Sequence, residues 1–259
     1  MGIVNVTPDS FSDGGKFEEA SAGIARGLQL LEEGAAIIDI GGESTRPGAD
    51  DVAAKEEIRR VIPVIEGILK EAPEACLSID TSKALVARTA IDSGAAILND
   101  VTGFRDPEMI QIAAKTEVGV AVMHMQGVPR TMQSAPLYEN VVADICSFFE
   151  ERHSTLVAAG INSEAIVYDT GIGFCKNQDH NLTLLRHLDR LAVSNRTLLL
   201  GVSRKSFTGK ILKSDPIDER RWPTVAITAH ATSLGVPLHR VHEVKPNLEA
   251  MRMTEAIMS

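Results

Sequence analysis

The first fifteen residues, MGIVNVTPDSFSDGG (1–15), run from an apolar stretch into a turn. Ile3, Val4 and Val6 favour an extended, buried backbone, while Thr7-Pro8-Asp9-Ser10 is rich in residues that end strands. Asn5 places an amide at the tip of that run. A buried amide needs hydrogen-bond partners, so a single strand of this kind makes sense only as part of a larger polar assembly.

The same pattern recurs along the chain. Short apolar runs follow at AIIDI (36–40), CLSID (76–80), AILND (96–100), VAVMH (120–124), AIVYD (165–169), TLLLG (197–201) and PLHRV (237–241), after GIVNV (2–6). Segments with helical spacing separate them. FEEASAGIARGLQLLEEG ends at Gly34, a natural residue just past a helix, and KEEIRRVIPVIEGILK and KALVARTAIDSG read alike. YENVVADICSFFEERHSTLVAAG and NLTLLRHLDRLA do too, with a short helix near 107–115 and a less polar one at WPTVAITAHATSLG. Strands alternating with helices imply a parallel sheet, and strands apolar throughout are buried on both faces. Eight such units in 259 residues predict one α/β domain spanning 1–259, a (β/α)8 TIM barrel, whose usual size is ~250 residues. Right-handed crossovers would bring every strand's C-terminal end to one face.

Composition narrows the function. Hydrophobic residues make up 44% and charged residues 24%, enough for a large core, and the net charge of −9 gives no general attraction to nucleic acid or acidic lipid. Any anion site must therefore be built locally. Cys76, Cys146 and Cys175 lack metal spacing and predict reduced thiols in a cytoplasmic protein. No basic segment precedes a long apolar run and no run of ~18 apolar residues occurs, so neither a signal peptide nor a membrane span is expected from this sequence.

The strand ends carry the chemistry. They are Asn5, Asp39, Asp80, Asn99, His124 and Asp169, then Ser203-Arg204-Lys205 beyond the seventh run and Arg240 and His242 at the eighth. Each has a plain structural reading when taken singly. Asp80 before Thr81-Ser82-Lys83 fits an N-cap, Asn99-Asp100 fits a turn, His124 fits a satisfied barrel histidine, and Lys205 fits a solvated loop lysine. GGESTRPG (41–48) is a weak phosphate signal on its own. Convergence of the strand ends favours a shared pocket instead. Its carboxylates match a flat ligand edge rich in N–H donors, such as an aminopyrimidinone, and Arg240 offers a stacking plane. Asn5, Arg240 and His242 together could receive an anion.

These residues resemble a known family. MGIVNVTPDSFSDGG, DIGGESTRPGA (39–49), SIDTSK (78–83), ILND (97–100), VMHMQGVPRTMQ (122–133), DTGIGF-x-K (169–176), SRKS (203–206) and RVHEV (240–244) look like dihydropteroate synthase, in the family's order and from Met1 to about Val244. The resemblance implies a folate-biosynthesis transferase. It joins 6-hydroxymethyl-7,8-dihydropterin diphosphate to 4-aminobenzoate and releases diphosphate and 7,8-dihydropteroate. By this resemblance Asp80, Asn99, Asp169 and Lys205 hold the pterin, Arg240 stacks on it, and Asn5, Arg240 and His242 receive the diphosphate, with Mg2+ at Asn5. Asp39 joins Asp80, Asp169, Lys205, Arg240 and His242 as a catalytic residue. The loop from Thr7 to Gly15 acts as a lid. With Phe11, Thr45, Arg46, Pro47, Phe174 and Ser206 it covers the diphosphate and forms the aminobenzoate site. A homodimer through the later helices is also implied, as are sensitivity to sulfonamides and residues ahead of the first strand, either a hairpin or a fused pterin kinase domain.

The match departs from the family in two places. Thr170 stands where the family usually has proline, which restores an N–H and frees φ. Cys175 stands where glycine or alanine is usual, and is expected to pack beside Phe174, with altered sulfonamide sensitivity. Two other functions compete. A corrinoid methyltransferase shares the pterin-facing Asp and Asn but has no need of TPDSFSDGG, STRPG and SRKS. A catalytically weak pterin-binding protein is favoured by Thr170 and Cys175. A metal hydrolase lacks its His-x-His or HExxH spacing.

Overall fold

The structure, a computed structural model, describes residues 1–7, 16–44, 49–127, 137–214 and 216–259. The first half runs β1 (Gly2–Asn5), α1 (Lys16–Glu32), β2 (Ile38–Gly41), α2 (Ala54–Glu71), β3 (Leu77–Asp80), α3 (Ala84–Asp92), β4 (Ile97–Asp100) and α4 (Pro107–Thr116). The second half runs β5 (Gly119–Met123), α5 (Val141–Ala158), β6 (Ile166–Asp169), α6 (Gln178–Arg186) and β7 (Leu198–Leu200), then α7 (Ser206–Leu212), α8 (Arg221–Ser233), β8 (Leu238–His239) and α9 (Val244–Met258).

All eight strands are parallel and neighbour one another in chain order. Closure comes from the segment after β8. The Ile3 amide donates to the Val241 carbonyl at 3.0 Å, and the Val241 amide to the Met1 carbonyl at 2.9 Å. The expected (β/α)8 barrel is therefore present. Its strands are buried because they pack helices outside and one another's side chains inside.

Local sequence explains most boundaries. Asp106 accepts the Glu108 amide at 2.8 Å and precedes Pro107 at the first turn of α4, so cap and proline agree. Asn140 caps α5 through the Val142 and Ala143 amides, and Asn177 with His180 forms a capping box on α6. Helices α1 and α2 approach closely because each puts a glycine against an isoleucine of the other. A Cβ on Gly27 would lie 2.3 Å from Ile68 Cδ1, and one on Gly67 would lie 2.3 Å from Ile24 Cδ1. Helices α7 and α9 were not singled out in the sequence. Strand β8 is two residues long, so Arg240 lies just past its end rather than within it.

Register brings the polar ends to one level. Asn5 pairs with Gly41, Gly41 with Asp80, and Asp80 with Asn99; Met123 pairs with Asp169 across the barrel wall.

Candidate active site

Arg240 is the centre of the strand-tip cup. Its Nε donates to Asp39 Oδ2 at 2.5 Å and its Nη2 to Asp80 Oδ2 at 2.6 Å, joining the ends of β8, β2 and β3. Asn99 Nδ2 on β4 donates to the same Asp39 oxygen at 3.2 Å. Asp39 is wholly buried, and its Oδ1, like Asp80 Oδ1, has no hydrogen bond among the described residues. Such carboxylate oxygens suit a ligand that brings N–H donors. Asp80 is not a helix cap: Lys83 holds the N-cap position of α3 without a side-chain cap. The Asn-Asp pair divides its roles. Asp100 makes the turn, accepting the Thr102 and Phe104 amides at 2.8 Å each, while Asn99 joins the cup.

Asp169 at the tip of β6 accepts the Gly171 amide at 2.8 Å. Lys205 donates to the Ile172 carbonyl, and its ammonium sits 4.3 Å from the centroid of the half-buried Phe174 ring. It is a pocket residue rather than a solvated lysine. On the opposite flank, Ser203 Oγ accepts the His242 amide at 3.1 Å and is hydrogen-bonded to His242 Nδ1 at 2.9 Å. Arg26 of α1 braces the His242 carbonyl, and Arg204 pairs with Glu243. Lys83 bridges Glu43 and the buried Glu57, each at 2.6 Å, beside the start of the β2–α2 loop.

The electrostatics follow from burial. Desolvation pushes Asp80 up to about 7 against the pull of Arg240, with Asp39 adding repulsion. Burial also raises Asp169 despite Lys205, and lowers Lys205 to about 8 despite Asp169. Arg240 lies above its ordinary value because Asp39 and Asp80 outweigh its desolvation. Three carboxyl groups thus share two cations, and a ligand that brings positive charge or N–H donors favours their ionised forms.

The structure brings together Asp39, Asp80, Asn99, Asp169, Lys205 and Arg240, with Asn5 in register beside Gly41, and fixes His242 through Ser203 and Arg26. Ser206 opens α7 on the exposed side of Lys205. Phe11, Thr45, Arg46 and Pro47, and the expected lid from Pro8 onward, lie outside the described residues. Thr170 is wholly buried, and its Oγ1 has no partner among the described residues. Cys175 does pack with Phe174, but through a small cluster of Val101, Met123 and Met125, and its thiol donates to the Gln126 carbonyl. Lys176 was not assigned a role in the sequence, although it closes the DTGIGF-x-K spacing. Its ammonium is buried against His124.

The family model for pterin-binding enzymes matches residues 1–242. The dihydropteroate synthase of Escherichia coli K12 is 44% identical over 259 residues, covering 100% of this chain and 91% of that one. The chain belongs to the dihydropteroate synthases of the pterin-binding enzyme family. Solved members share the fold closely. The Yersinia pestis dihydropteroate synthase, solved with a sulfonamide drug, superposes with a TM-score of 0.93 at 43% identity, covering 100% of this chain and 93% of its own. The Xanthomonas albilineans dihydropteroate synthase, solved with 4-aminobenzoic acid, gives 0.94 at 42% identity, covering 100% and 92%. Membership in this family sets aside the corrinoid methyltransferase.

Proposed function

We propose that the strand-tip cup binds 6-hydroxymethyl-7,8-dihydropterin diphosphate and joins its methylene to the arylamine of 4-aminobenzoate, releasing diphosphate and 7,8-dihydropteroate. The chain is a transferase of folate biosynthesis, acting as one catalytic domain across residues 1–259. The observation that carries this reading is Arg240 held between Asp39 and Asp80, each with a buried carboxylate oxygen that has no partner among the described residues.

Asp80, Asn99, Asp169 and Lys205 hold the pterin. Its N–H edge meets Asp80 and Asp169, and Arg240 stacks against it. Arg240 uses two of its five N–H donors on carboxylates, which leaves others for the diphosphate. Asn5, Arg240 and His242 receive that anion. The C–O bond breaks first. Carboxylates on one side favour the delocalised pterin cation, while cations on the other hold the leaving group. The arylamine is already neutral at pH 7, so no general base and no Ser/His/Asp triad is required. Phe11, Thr45, Arg46, Pro47, Phe174 and Ser206 form the aminobenzoate site.

Mg2+ fits the donors available. No three of His, Cys, Asp or Glu build a metal cage among the described residues, and the Asn5 amide oxygen is a hard donor at the diphosphate end. A cation that keeps most of its waters and shares phosphate oxygens needs little more from the protein. When bound, it would neutralise charge on the diphosphate.

The three cysteines are unpaired, which suits the cytoplasm, and no helix among the described residues is long and apolar enough to cross a membrane. Exposed Ile211 and Leu212 on α7, Ile217 in the connection to α8 and Trp222 at the start of α8 support a homodimer.

Incubation with the pterin diphosphate, 4-aminobenzoate and Mg2+ tests the reading. Equimolar diphosphate and 7,8-dihydropteroate are expected. Pterin binding without turnover would instead favour the weak binding protein.

A further inference from the structure

Lys176 is almost wholly buried, and no carboxylate pairs with it among the described residues. Its ammonium is held by the carbonyls of Gly171 and Phe174 at 3.0 Å each, by His124 Nδ1 at 3.1 Å and by the His124 carbonyl at 3.3 Å. Three N–H donors thus face four acceptors, all but one of them backbone. The segment from Gly171 to Phe174 is a turn closed by its own hydrogen bond, the Phe174 amide to the Gly171 carbonyl at 3.0 Å, and it winds around the Lys176 ammonium. Nothing bulkier than glycine fits at its start. A Cβ on Gly171, at φ +63°, would lie 2.0 Å from the His124 carbonyl oxygen. Asn181 fastens the turn from outside by accepting the Gly173 amide at 2.8 Å.

This turn supports Lys205. Its Ile172 carbonyl accepts from the Lys205 ammonium, and its Phe174 ring lies under that ammonium. Burial, and repulsion from Lys205, hold Lys176 down to about 7. A group this costly to bury, with no ion-pair partner, is hard to explain as packing alone. His124 must stay neutral to accept at Nδ1, and burial holds it far below its ordinary value.

We propose that Lys176 is a positioning residue for 4-aminobenzoate: with neutral His124 it fixes the 171–174 turn, and the turn in turn aims Phe174 at the second substrate. The inference rests on the proposed reaction, because it needs the aminobenzoate site to lie on Phe174. It predicts a split between substrates. Of the residues proposed to hold the pterin, Asp169 and Lys205 touch the turn but Asp80 and Asn99 do not, so pterin binding keeps half of its grip, whereas Phe174 belongs to the turn itself.

The test compares Lys176→Met with wild type by steady-state kinetics and by calorimetry with a pterin analogue. KM for 4-aminobenzoate should rise roughly ten-fold, the scale of one lost hydrogen bond to a charged group. Pterin affinity should change by less than about three-fold, within half a power of ten. Equal losses for both substrates, or no change in either, would overturn the proposal. If Lys176→Met fails to fold, the histidine gives a second route. His124→Asn, which keeps an acceptor near the Nδ1 position, should retain the aminobenzoate KM, and His124→Leu should reproduce the rise. Identical behaviour of the two histidine variants would also overturn it. Absence of aminobenzoate-dependent turnover in the wild type would instead defeat the proposed reaction itself.

Discussion

At the scale of single residues, two carboxylates compete for one guanidinium. Arg240 holds both Asp39 and Asp80, yet burial still raises Asp80 to about 7. The fold therefore favours its neutral form. The stabilisation this provides is complete below the ordinary carboxyl pKa of 3.8 and is lost as pH rises through about 7. A pterin edge made of N–H donors needs the ionised form. Pterin binding near pH 6.5 should thus release protons and weaken as pH falls. Calorimetry in buffers of different ionisation heat measures this, and zero release would show that Asp80 does not meet those donors. Asp80→Asn should keep the fold, abolish the proton release and cut turnover by ~10²–10³-fold, the range for losing one preorganised electrostatic group. A loss of only a few-fold would remove Asp80 from the mechanism. Arg240→Ala should weaken both pterin and diphosphate binding, and unchanged calorimetric affinity for both would contradict its double role. Local sequence could not decide Asp80. The stretch before α3 reads as a cap, and the partner that claims the carboxylate lies 160 residues away.

At the scale of elements, the loops after the strands hold what the strands present. The 171–174 turn makes the clearest case. Gly171→Ala would need both a left-handed alanine and space already taken by the His124 carbonyl. A loss of ~2–4 kcal/mol in urea melts is expected, well beyond backbone strain alone; a loss below ~1 kcal/mol would mean that the turn relaxes easily. By contrast, Asp106→Ala at the cap of α4 should cost only ~0.5–2 kcal/mol and leave kinetics untouched. Elements with strong periodicity were legible in the sequence. Helices α1, α2 and α5 carry helical spacing, and the apolar runs mark strands. Strand β8 was legible as apolar but not in length, because closure against β1 is a pairing between the chain's two ends. Lys176 was legible as a motif position but not as a buried ammonium, since its ligands are carbonyls, which no side-chain pattern reveals.

At the scale of the molecule, a closed parallel barrel turns eight separate strand ends into one cup, and opposite charges meet across it. The exposed apolar group of Ile211, Leu212, Ile217 and Trp222 lies outside that cup. Trp222→Glu should shift the chain from dimer to monomer in sedimentation velocity; a wild-type monomer would remove the homodimer from the account. The central claim is that the cup parts the pterin from its diphosphate before aminobenzoate attacks. A rapid-quench measurement with aminobenzoate left out tests it most directly. With the pterin diphosphate and Mg2+ alone, the wild-type protein should form enzyme-bound diphosphate in a burst that Asp80→Asn lacks. If no diphosphate forms until aminobenzoate is added, bond breaking awaits the nucleophile and the claim is wrong.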